Sequence, residues 1–438
     1  MSKATQHLVH RVVVLAVLVL SLCTACGGLE PSTPKPTAPA RAPTMAGAGG
    51  DHDEAPAAGG ASEGTAGAAP ERDAGTSEPS GPPPEIGADE IYGQQVERGR
   101  SWWVEDGRIH RADEEVVLHG INWFGLDASA RALYGPTESR RSIADFLAQL
   151  KSLGFNALRV PLSPESINPG FPSESWVNHG QTDTGREHFD ALLEEAERAG
   201  MYMLLDVHTC ASAVGHLKES PIDPRCTRYG VDPWLADLKT LAEIAAEHAP
   251  YVLGIDLFNE PYGLSYDEWK VLAEQGGKLV LETNPHILVF VEGVGSKGYG
   301  GFTGVFWGEN LSEAGAKPIE LPASRLVYSP HVYGPSISQQ AYFNAPDFPA
   351  NMPDVWDEHF GYLFGGEHAV VPGEFGGVYT GEDKIWQDAF VDYLLANEAR
   401  SFFYWCLNPN SGDTGGLLNS DWRTVNSEKH ALLQRLMQ

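Results

Sequence analysis

Residues Ile255–Pro261 have the sequence IDLFNEP, in which an apolar run ends in a polar Asn-Glu pair and a proline follows. Residues Val370–Gly377 have the sequence VVPGEFGG and repeat this design, since another short apolar run is followed by a glutamate. Short continuous apolar runs are typical of strands in a parallel sheet that is covered on both faces. The two stretches therefore predict two buried strands with a glutamate at the carboxyl end of each.

Strand-like and helix-like segments alternate along the chain from Val116 onward. The predicted strands are Val116–Trp123, Ala157–Leu162, Tyr202–His208, Leu253–Asn259, Ile287–Glu292, Leu326–Val332, Ala369–Glu374 and Phe402–Trp405. The predicted helices are Ser142–Leu153, Arg186–Arg198, Trp234–His248, Tyr266–Glu282, Val355–Phe364, Lys384–Asn397 and Glu428–Met437. Eight β/α units favour an α/β fold of the (β/α)8 TIM-barrel type. An open doubly wound sheet is the alternative, but no glycine-rich phosphate loop follows the first strand.

Two segments of different composition precede the predicted barrel. Residues 1–26 resemble an export signal, because a positively charged start leads into the apolar stretch Val12–Leu20, which is too short to be a good membrane span. Residues 27–97 are rich in Pro, Ala, Gly and Ser, so they are predicted to form a disordered tether. All 11 Trp follow residue 101, and residues 98–438 are predicted to form one folded domain.

Two of the 5 cysteines lie in the predicted signal. There, Leu22–Gly27 resembles a bacterial lipobox, which implies a lipid on Cys26, whereas ordinary signal cleavage would release a secreted protein. In an exported protein, Cys210 and Cys226 are predicted to form a disulfide across a loop. Cys406 is then unpaired, and we expect it to be a small buried apolar residue.

The formal net charge of −29 argues against nucleic acid as a partner and is compatible with a neutral polymer. The sequence has no Cys/His spacing typical of a metal site, so no metal and no cofactor are expected. Asp206 and His208 share a strand face and could bind a metal, but no third ligand is evident. We expect a monomer, whose only membrane attachment would be a lipid on Cys26.

Polar and aromatic residues lie at the carboxyl ends of the predicted strands. In a TIM barrel these ends form the active site. The residues are Trp123, Arg159, His208, Asn259, Glu260, His331, Tyr333, Glu374 and Trp405. Such a set is poorly explained as barrel core and is typical of a sugar-binding cleft.

Two of these residues, Glu260 and Glu374, can supply the two carboxyl groups that cleave a glycosidic bond with retention. One carboxylate attacks the anomeric carbon, and the other carboxyl group donates its proton to the leaving oxygen. Arg159 can keep one of them ionised, while burial and a neighbouring negative charge can keep the other protonated. These residues alone leave open which glutamate has which role, and a structural ion pair is the alternative.

The remaining residues suit the binding of a sugar next to these glutamates. Asn259 can hydrogen-bond a sugar 2-hydroxyl, a contact that strengthens in the transition state. Trp123 and Trp405 offer flat apolar faces to pyranose rings, and Tyr333 can hydrogen-bond the nucleophile. Burial in the core is the alternative for either tryptophan.

From Ser101 to its end, the chain resembles glycoside hydrolase family 5 of clan A, and within it the bacterial endo-β-1,4-glucanases of the first subfamily. The motifs that carry this resemblance are Gly120–Gly125, Leu158–Pro161, Asn259–Pro261, Pro330–Tyr333, Gly373–Gly376 and Trp405–Gly416. The resemblance implies a retaining cellulase that hydrolyses internal β-1,4-glucosidic bonds by double displacement, outside the cell or at its surface. It leaves open the same chemistry on mannan, xyloglucan or mixed-linkage β-glucan, and a non-catalytic glycan-binding lipoprotein.

The resemblance also implies a role for each site residue. Glu260 would be the general acid/base and Glu374 the nucleophile, which Arg159 and Tyr333 would orient. The subsite next to the cleaved bond would be lined by His208, Asn259, His331 and Trp405. In one departure, Leu126–Ser129 lacks the cysteine that close relatives often pair with one after the third strand, which favours Cys210–Cys226 as the disulfide here.

Overall fold

The computed structural model describes residues 87–173, 183–210, 229–295 and 305–438. The predicted signal with Cys26, the tether as far as residue 86, and Cys226 lie outside these ranges. Within the ranges, none of the helices has both the length and the apolar character needed to cross a membrane.

Short strands and helices alternate through most of the described chain. The strands are β1 (Ala88–Ile91), β2 (Gln94–Glu97), β3 (Trp102–Glu105), β4 (Arg108–Arg111), β5 (Glu114–Glu115), β6 (His119–Asn122), β7 (Ala157–Leu162), β8 (Tyr202–Val207), β9 (Val252–Asp256), β10 (Leu288–Val291), β11 (Leu326–Tyr328), β12 (His331–Tyr333), β13 (Ala369–Val370), β14 (Glu374–Gly376) and β15 (Phe402–Tyr404). The α-helices are α1 (Pro136–Ser139), α2 (Ile143–Ser152), α3 (Pro164–Ile167), α4 (Gly185–Ala199), α5 (Val231–Glu247), α6 (Tyr266–Thr283), α7 (Met352–His359), α8 (Gly381–Ala396) and α9 (Ser427–Gln434). Short 3-10 helices are Arg98–Arg100, Ala323–Arg325, Ala341–Asn344 and Gly361–Leu363.

The predicted TIM barrel is confirmed. One 8-stranded sheet has the order β13-β11-β10-β9-β8-β7-β6-β15, and all its pairings are parallel. Its two edges meet, because the amide of Phe403 donates to the carbonyl of Pro372 and that of Trp405 to the carbonyl of Phe375, each at 2.9 Å. Closure of this kind removes exposed sheet edges and brings the carboxyl ends of the strands together at one mouth.

The sixth and seventh barrel strands, each predicted as one run, are each divided in two. A proline lies at each division, at Pro330 between β11 and β12 and at Pro372 between β13 and β14. Proline cannot donate a ladder hydrogen bond, so the main sheet stops there. Beyond the prolines β12 pairs with β14 in parallel, and this register sets His331 opposite Glu374.

The barrel interior is filled with apolar side chains below this mouth. Phe290 and Phe403 meet inside it with ring centroids 6.5 Å apart. The same cluster includes Trp102, whose indole nitrogen donates to the carbonyl of Pro250 at 2.9 Å. Because Pro250 precedes β9, the β3–β4 hairpin covers the amino-terminal end of the barrel, and the mouth carries the polar residues.

The boundary predicted between tether and domain, at residues 97 and 98, is too late in the chain. Residues 88–97 form the antiparallel hairpin β1–β2, whose Ile91 and Val96 are buried in the main core. Tyr92 and Gly93, at its turn, both have positive φ angles, as in a tight type I′ hairpin turn. The hairpin was missed because its two apolar residues stand alone in a polar sequence.

An ion pair joins this hairpin to the barrel, and its removal should destabilise the fold. Asp89 accepts from Arg325, a fully buried guanidinium, at 2.8 Å. Asp89→Ala is expected to lower the free energy of unfolding by about 2 kcal/mol, since the buried cation loses its carboxylate. Denaturant unfolding measures this, with the exposed Glu90→Ala as a control that should change it by less than about 0.5 kcal/mol. Equal effects of the two substitutions would contradict this role.

The pH dependence of this difference follows from the pKa of Asp89. Burial alone would raise that pKa, but Arg325 and Arg98 lower it overall. A lowered folded-state pKa adds stability above the unfolded-state value of about 3.9. The difference between wild type and Asp89→Ala should therefore be complete at neutral pH and disappear as the pH falls through the folded-state pKa.

Candidate active site

A single guanidinium, that of Arg159 on β7, connects the residues at the barrel mouth. Arg159 is fully buried, and its Nη1 donates to Glu374 Oε1 at 2.8 Å. Its Nε donates to Asp256 Oδ2 at 3.0 Å. Its Nη2 donates to Asn259 Oδ1 and to Glu292 Oε1, each at 3.0 Å. Burial works to lower the pKa of Arg159, but the carboxylates around it raise that pKa well above the usual value, so the group stays charged.

The carboxyl group of Glu374, at the start of β14, is held from both sides. Arg159 donates to Oε1, and the hydroxyl of Tyr333 donates to Oε2 at 2.5 Å. Burial and the charge of Glu374 raise the pKa of Tyr333 well above its usual value, so Tyr333 remains a donor at neutral pH. Two charge-assisted hydrogen bonds fix the orientation of this carboxyl group.

Glu260 lies just beyond β9 and faces Glu374. Its φ of 48° is in the left-handed region, which is uncommon for a residue with a side chain. The Nδ1 atom of His331 lies 3.2 Å from Glu260 Oε1 and 3.5 Å from Glu374 Oε2. Carboxylate oxygens of the two glutamates lie within 4.8 Å of each other. This spacing is close to the ~5–5.5 Å of retaining glycosidases and well below the ~6.5–9.5 Å of inverting ones.

Aromatic rings form one wall of the cleft beside Glu374. The ring of Trp405 is nearly parallel to those of Phe124 and His208, with centroids 5.6 and 5.7 Å away. The indole nitrogen of Trp405 donates to the hydroxyl of Ser411 at 3.2 Å. These rings present the kind of flat apolar face against which a sugar ring packs.

Asp206 orients His208 and does not need a metal to explain its burial. Its Oδ2 lies 2.6 Å from His208 Nδ1 and 3.0 Å from Arg159 Nη2. Burial raises the pKa of Asp206 well above the usual value even though Arg159 opposes that shift. The pair predicted as a possible metal site is thus part of the network around Arg159.

Asn259 has an unused donor. Its Oδ1 accepts from Arg159, whereas its buried Nδ2 has no hydrogen-bond partner among the described residues. Buried amide groups normally find partners. A bound ligand with a hydroxyl group can supply the missing acceptor.

Two cavities meet at the paired glutamates. The first, of about 270 Å³, is lined by Phe124, His208, Tyr333, Glu374, Trp405 and residues 410–414. The second, of about 360 Å³, is lined by Glu260, residues 305–307, Tyr333, Ile337, Ser338, Gln340 and Asp413. Because Tyr333 and Asp413 line both, an extended ligand that filled both cavities would have one of its bonds between Glu260 and Glu374.

Eight of the nine strand-end residues predicted for the site come together in this way, and Trp123 does not. Trp123 is fully buried, packs against Phe146 with ring centroids 5.1 Å apart, and donates from its indole nitrogen to the carbonyl of Tyr134. Successive side chains at a strand end point to opposite sides, so the next residue, Phe124, faces the cleft instead. The prediction of Trp123 as a sugar platform was wrong.

Sequence reasoning also missed two acidic residues of the site, Asp256 and Glu292. Both are fully buried and bind Arg159. Glu292 ends the predicted fifth strand as Glu374 ends the seventh, and Asp256 interrupts an apolar strand with a charge. Either signal could have found them, because a carboxylate is rarely buried without a partner.

The cysteines agree with the sequence as far as the described residues reach. Cys210 is disulfide-bonded, but its predicted partner Cys226 lies outside those residues, so the pairing stays a prediction. Cys406 is buried and free, as expected, and burial raises the pKa of its thiol to about 12. Such a thiol is inert at neutral pH.

Comparison with known proteins finds the same architecture in bacterial and archaeal enzymes. A family model described as "Cellulase (glycosyl hydrolase family 5)" matches residues 111–411. The major extracellular endoglucanase of Xanthomonas campestris is 39% identical over 368 residues, which cover 80% of this chain and 72% of that protein. An endoglucanase of Paenibacillus polymyxa is 37% identical over 346 residues, which cover 75% and 85%.

Two solved structures extend this likeness to the fold. The catalytic domain of the Xanthomonas campestris enzyme has a TM-score of 0.69 at 36% identity, and the match covers 76% of this chain and 99% of that one. A complex of a Pyrococcus horikoshii endocellulase variant with cellotetraose has a TM-score of 0.69 at 32% identity, covering 78% and 99%.

Two tryptophan substitutions test that Trp123 lies in the core, whereas Trp307 lies in the cleft. Trp123→Leu is expected to lower the free energy of unfolding by about 3 kcal/mol, because it leaves a cavity and removes a buried hydrogen bond. Trp307→Leu, at a residue that is 38% exposed in the second cavity, should lower it by less than about 1 kcal/mol. Denaturant unfolding measures both, and a smaller effect at residue 123 than at residue 307 would contradict the core position of Trp123.

Proposed function

This chain belongs to glycosyl hydrolase family 5, and from that premise we propose that it hydrolyses internal β-1,4-glucosidic bonds with retention, using Glu374 as nucleophile and Glu260 as general acid/base. The observation that carries this proposal is the placement of their carboxylate oxygens within 4.8 Å of each other at the barrel mouth. As an endo-β-1,4-glucanase, the enzyme would bind a chain across both cavities and cut it between them.

In the first step, the carboxylate of Glu374 attacks the anomeric carbon while the bond to the leaving oxygen breaks. Glu260 gives its proton to that oxygen, so the leaving chain departs as an alcohol and a glycosyl ester remains on Glu374. Arg159 and Tyr333, which each donate to one oxygen of Glu374, aim the attacking carboxylate. Holding the attacking atom in this way removes much of the entropic cost of the step.

In the second step, water replaces the departed chain and attacks the same anomeric carbon. Glu260, now a carboxylate, takes the proton of that water, and Glu374 leaves as a carboxylate. Two inversions give overall retention. His331 lies between the two glutamates and contacts both carboxyl groups.

The two cavities suit a chain of β-linked glucose units. Trp405 lies beside Glu374 and would pack against the sugar whose bond is cleaved. The unused Nδ2 of Asn259 would donate to the 2-hydroxyl of that sugar. Trp307 and Tyr262, with ring centroids 4.8 Å apart, stand on the side of Glu260 and would contact the departing part. The cellotetraose complex of the Pyrococcus enzyme supports a β-glucan oligosaccharide as ligand.

Substitution of the two glutamates tests the mechanism. Glu374→Gln and Glu260→Gln are each expected to lower the rate on carboxymethylcellulose by a factor of about 10³ or more, since each removes an essential carboxylate. Reducing-sugar release measures this, and Glu382→Gln on the exposed side of α8 should match wild type. Proton NMR of the first product should show the β-anomer. Near wild-type activity of either variant, or an α-anomer, would refute the assignment.

We further propose that the protein is exported through residues 1–26 and that a lipid on Cys26 holds a monomeric enzyme at the cell surface. The likeness of Leu22–Gly27 to a lipobox supports this, and one similar enzyme is described as extracellular. A polymeric substrate outside the cell can be reached only by an exported enzyme. The neutral glucan chain also suits a protein whose formal charge is −29.

Mass spectrometry of the mature amino terminus tests the lipid. We expect a chain that begins at Cys26 and carries a diacylglycerol thioether, and we expect Cys26→Ser to release the enzyme into the medium with its activity retained. A mature chain that begins elsewhere without a lipid would show simple secretion and refute the proposed anchor.

A further inference from the structure

Glu292 lies directly behind the proposed acid/base and makes contacts that no role of the catalytic pair accounts for. It follows β10 and is fully buried. Its Oε2 accepts from the backbone amide of Glu260 at 2.7 Å. Its Oε1 accepts from Arg159 Nη2 at 3.0 Å and lies 3.1 Å from His331 Nε2. One carboxylate therefore touches three residues of the catalytic centre without lining either cavity.

The contact with the backbone of Glu260 stabilises an unfavourable backbone conformation. The φ of 48° at Glu260 costs free energy relative to an extended backbone, and such a conformation persists only where its surroundings enforce it. A carboxylate that receives the Glu260 amide supplies such a constraint. Gly308 closes the opposite side of this carboxylate, since a Cβ atom there would lie 2.5 Å from Glu292 Oε2.

Glu292 also lies against the ring of His331. Nε2 lies 3.1 Å from Glu292 Oε1, whereas Nδ1 lies 3.2 Å from Glu260 Oε1. The imidazole is thereby placed between Glu292 and the proposed general acid.

Asp256 is the acidic neighbour of Glu292. Asp256 Oδ2 lies within 3.0 Å of two nitrogens of Arg159, whereas the buried Oδ1 meets no donor among the described residues. Asp256 and Glu292 both bind Arg159, and an oxygen of each lies within 4.8 Å of the other, so two ionised carboxylates here would repel each other. Burial raises the pKa of both, that of Asp256 to about 7.

Donors face both oxygens of Glu292. Oε2 accepts from the amide of Glu260 and Oε1 from Arg159, so the orientation of this carboxylate is fixed from two sides.

We propose that Glu292 is a positioning residue of the catalytic centre, whose buried carboxylate holds the backbone of Glu260 and lies against the ring of His331. This inference rests on the proposed role of Glu260 as general acid. It adds a third carboxylate, which lines neither cavity, to the functional residues of the site.

Amide substitutions distinguish Glu292 from its acidic neighbour Asp256. Either orientation of Glu292→Gln directs an NH2 group at a donor, the amide of Glu260 or the guanidinium of Arg159. Asp256→Asn can keep its oxygen on Arg159 and leaves the contact of Glu292 with the Glu260 amide in place. We therefore expect a loss of about 100-fold or more in kcat/KM on cellotetraose for Glu292→Gln, and of less than about 10-fold for Asp256→Asn.

A substrate with a better leaving group distinguishes a loss of acid catalysis by Glu260 from a general loss of activity. Dinitrophenyl β-cellobioside needs no proton from Glu260, because its leaving group is already acidic. For Glu292→Gln the loss on this substrate should be at least about tenfold smaller than on cellotetraose. Glu382→Gln serves as the matched surface control, and thermal unfolding measures whether each variant is folded at the assay temperature.

The outcomes are decisive in either direction. Equal losses of Glu292→Gln on both substrates would overturn its role at Glu260, as would no loss on either. Losses of Asp256→Asn as large as those of Glu292→Gln would show that any buried acid beside Arg159 has the same effect and would overturn the specific role of Glu292. Wild-type turnover of cellotetraose in the same assay tests the proposed function separately, so failure of that function would be visible on its own.

Discussion

The buried guanidinium of Arg159 is the constraint on which the rest of the site depends. A cation removed from water is stable only where carboxylates and other acceptors surround it, and removal of one partner typically costs about 3–5 kcal/mol. Here the partners come from four other barrel strands, through Asp206, Asp256, Glu292 and Glu374. The barrel therefore cannot close correctly without also assembling the acidic residues of its mouth, and the same interaction that satisfies the cation aims the nucleophile.

One cation facing several acids also sets how charge is divided between them. Burial raises the pKa of Asp206, Asp256 and Glu292, although Arg159 opposes each shift. Protons retained on such groups reduce the net negative charge of the site. Glu374 shares the guanidinium of Arg159 with these three acids.

The sequence predicted the barrel and most of its mouth because both leave local signals. Buried parallel strands are continuous apolar runs, and Arg159, Glu260 and Glu374 each follow or interrupt such a run. The β1–β2 hairpin left no such signal, since its burial comes from tertiary contact with the barrel. Trp123 was assigned to the cleft because residue type alone does not show which side of the strand a side chain faces. Side chains alternate along a strand, so the side depends on the exact position of the residue within it. Glu292 was missed although it ends the predicted fifth strand, and its contact with the backbone of Glu260 is a tertiary contact that no local pattern indicates.

The prolines that divide the sixth and seventh strands also determine which side chains beyond them face the barrel mouth. Beyond Pro330 and Pro372, β12 and β14 form a separate ladder only three residues long, in which His331 lies opposite Glu374. Side chains alternate along such a ladder, so one residue inserted before His331 would exchange its two faces and turn Val332 toward the sugar. Two inserted residues would restore the faces. Even so, a shift of two residues would move His331 from its place opposite Glu374, so the length of the segment that leads into this ladder is fixed more strictly than the lengths of the loops beyond it.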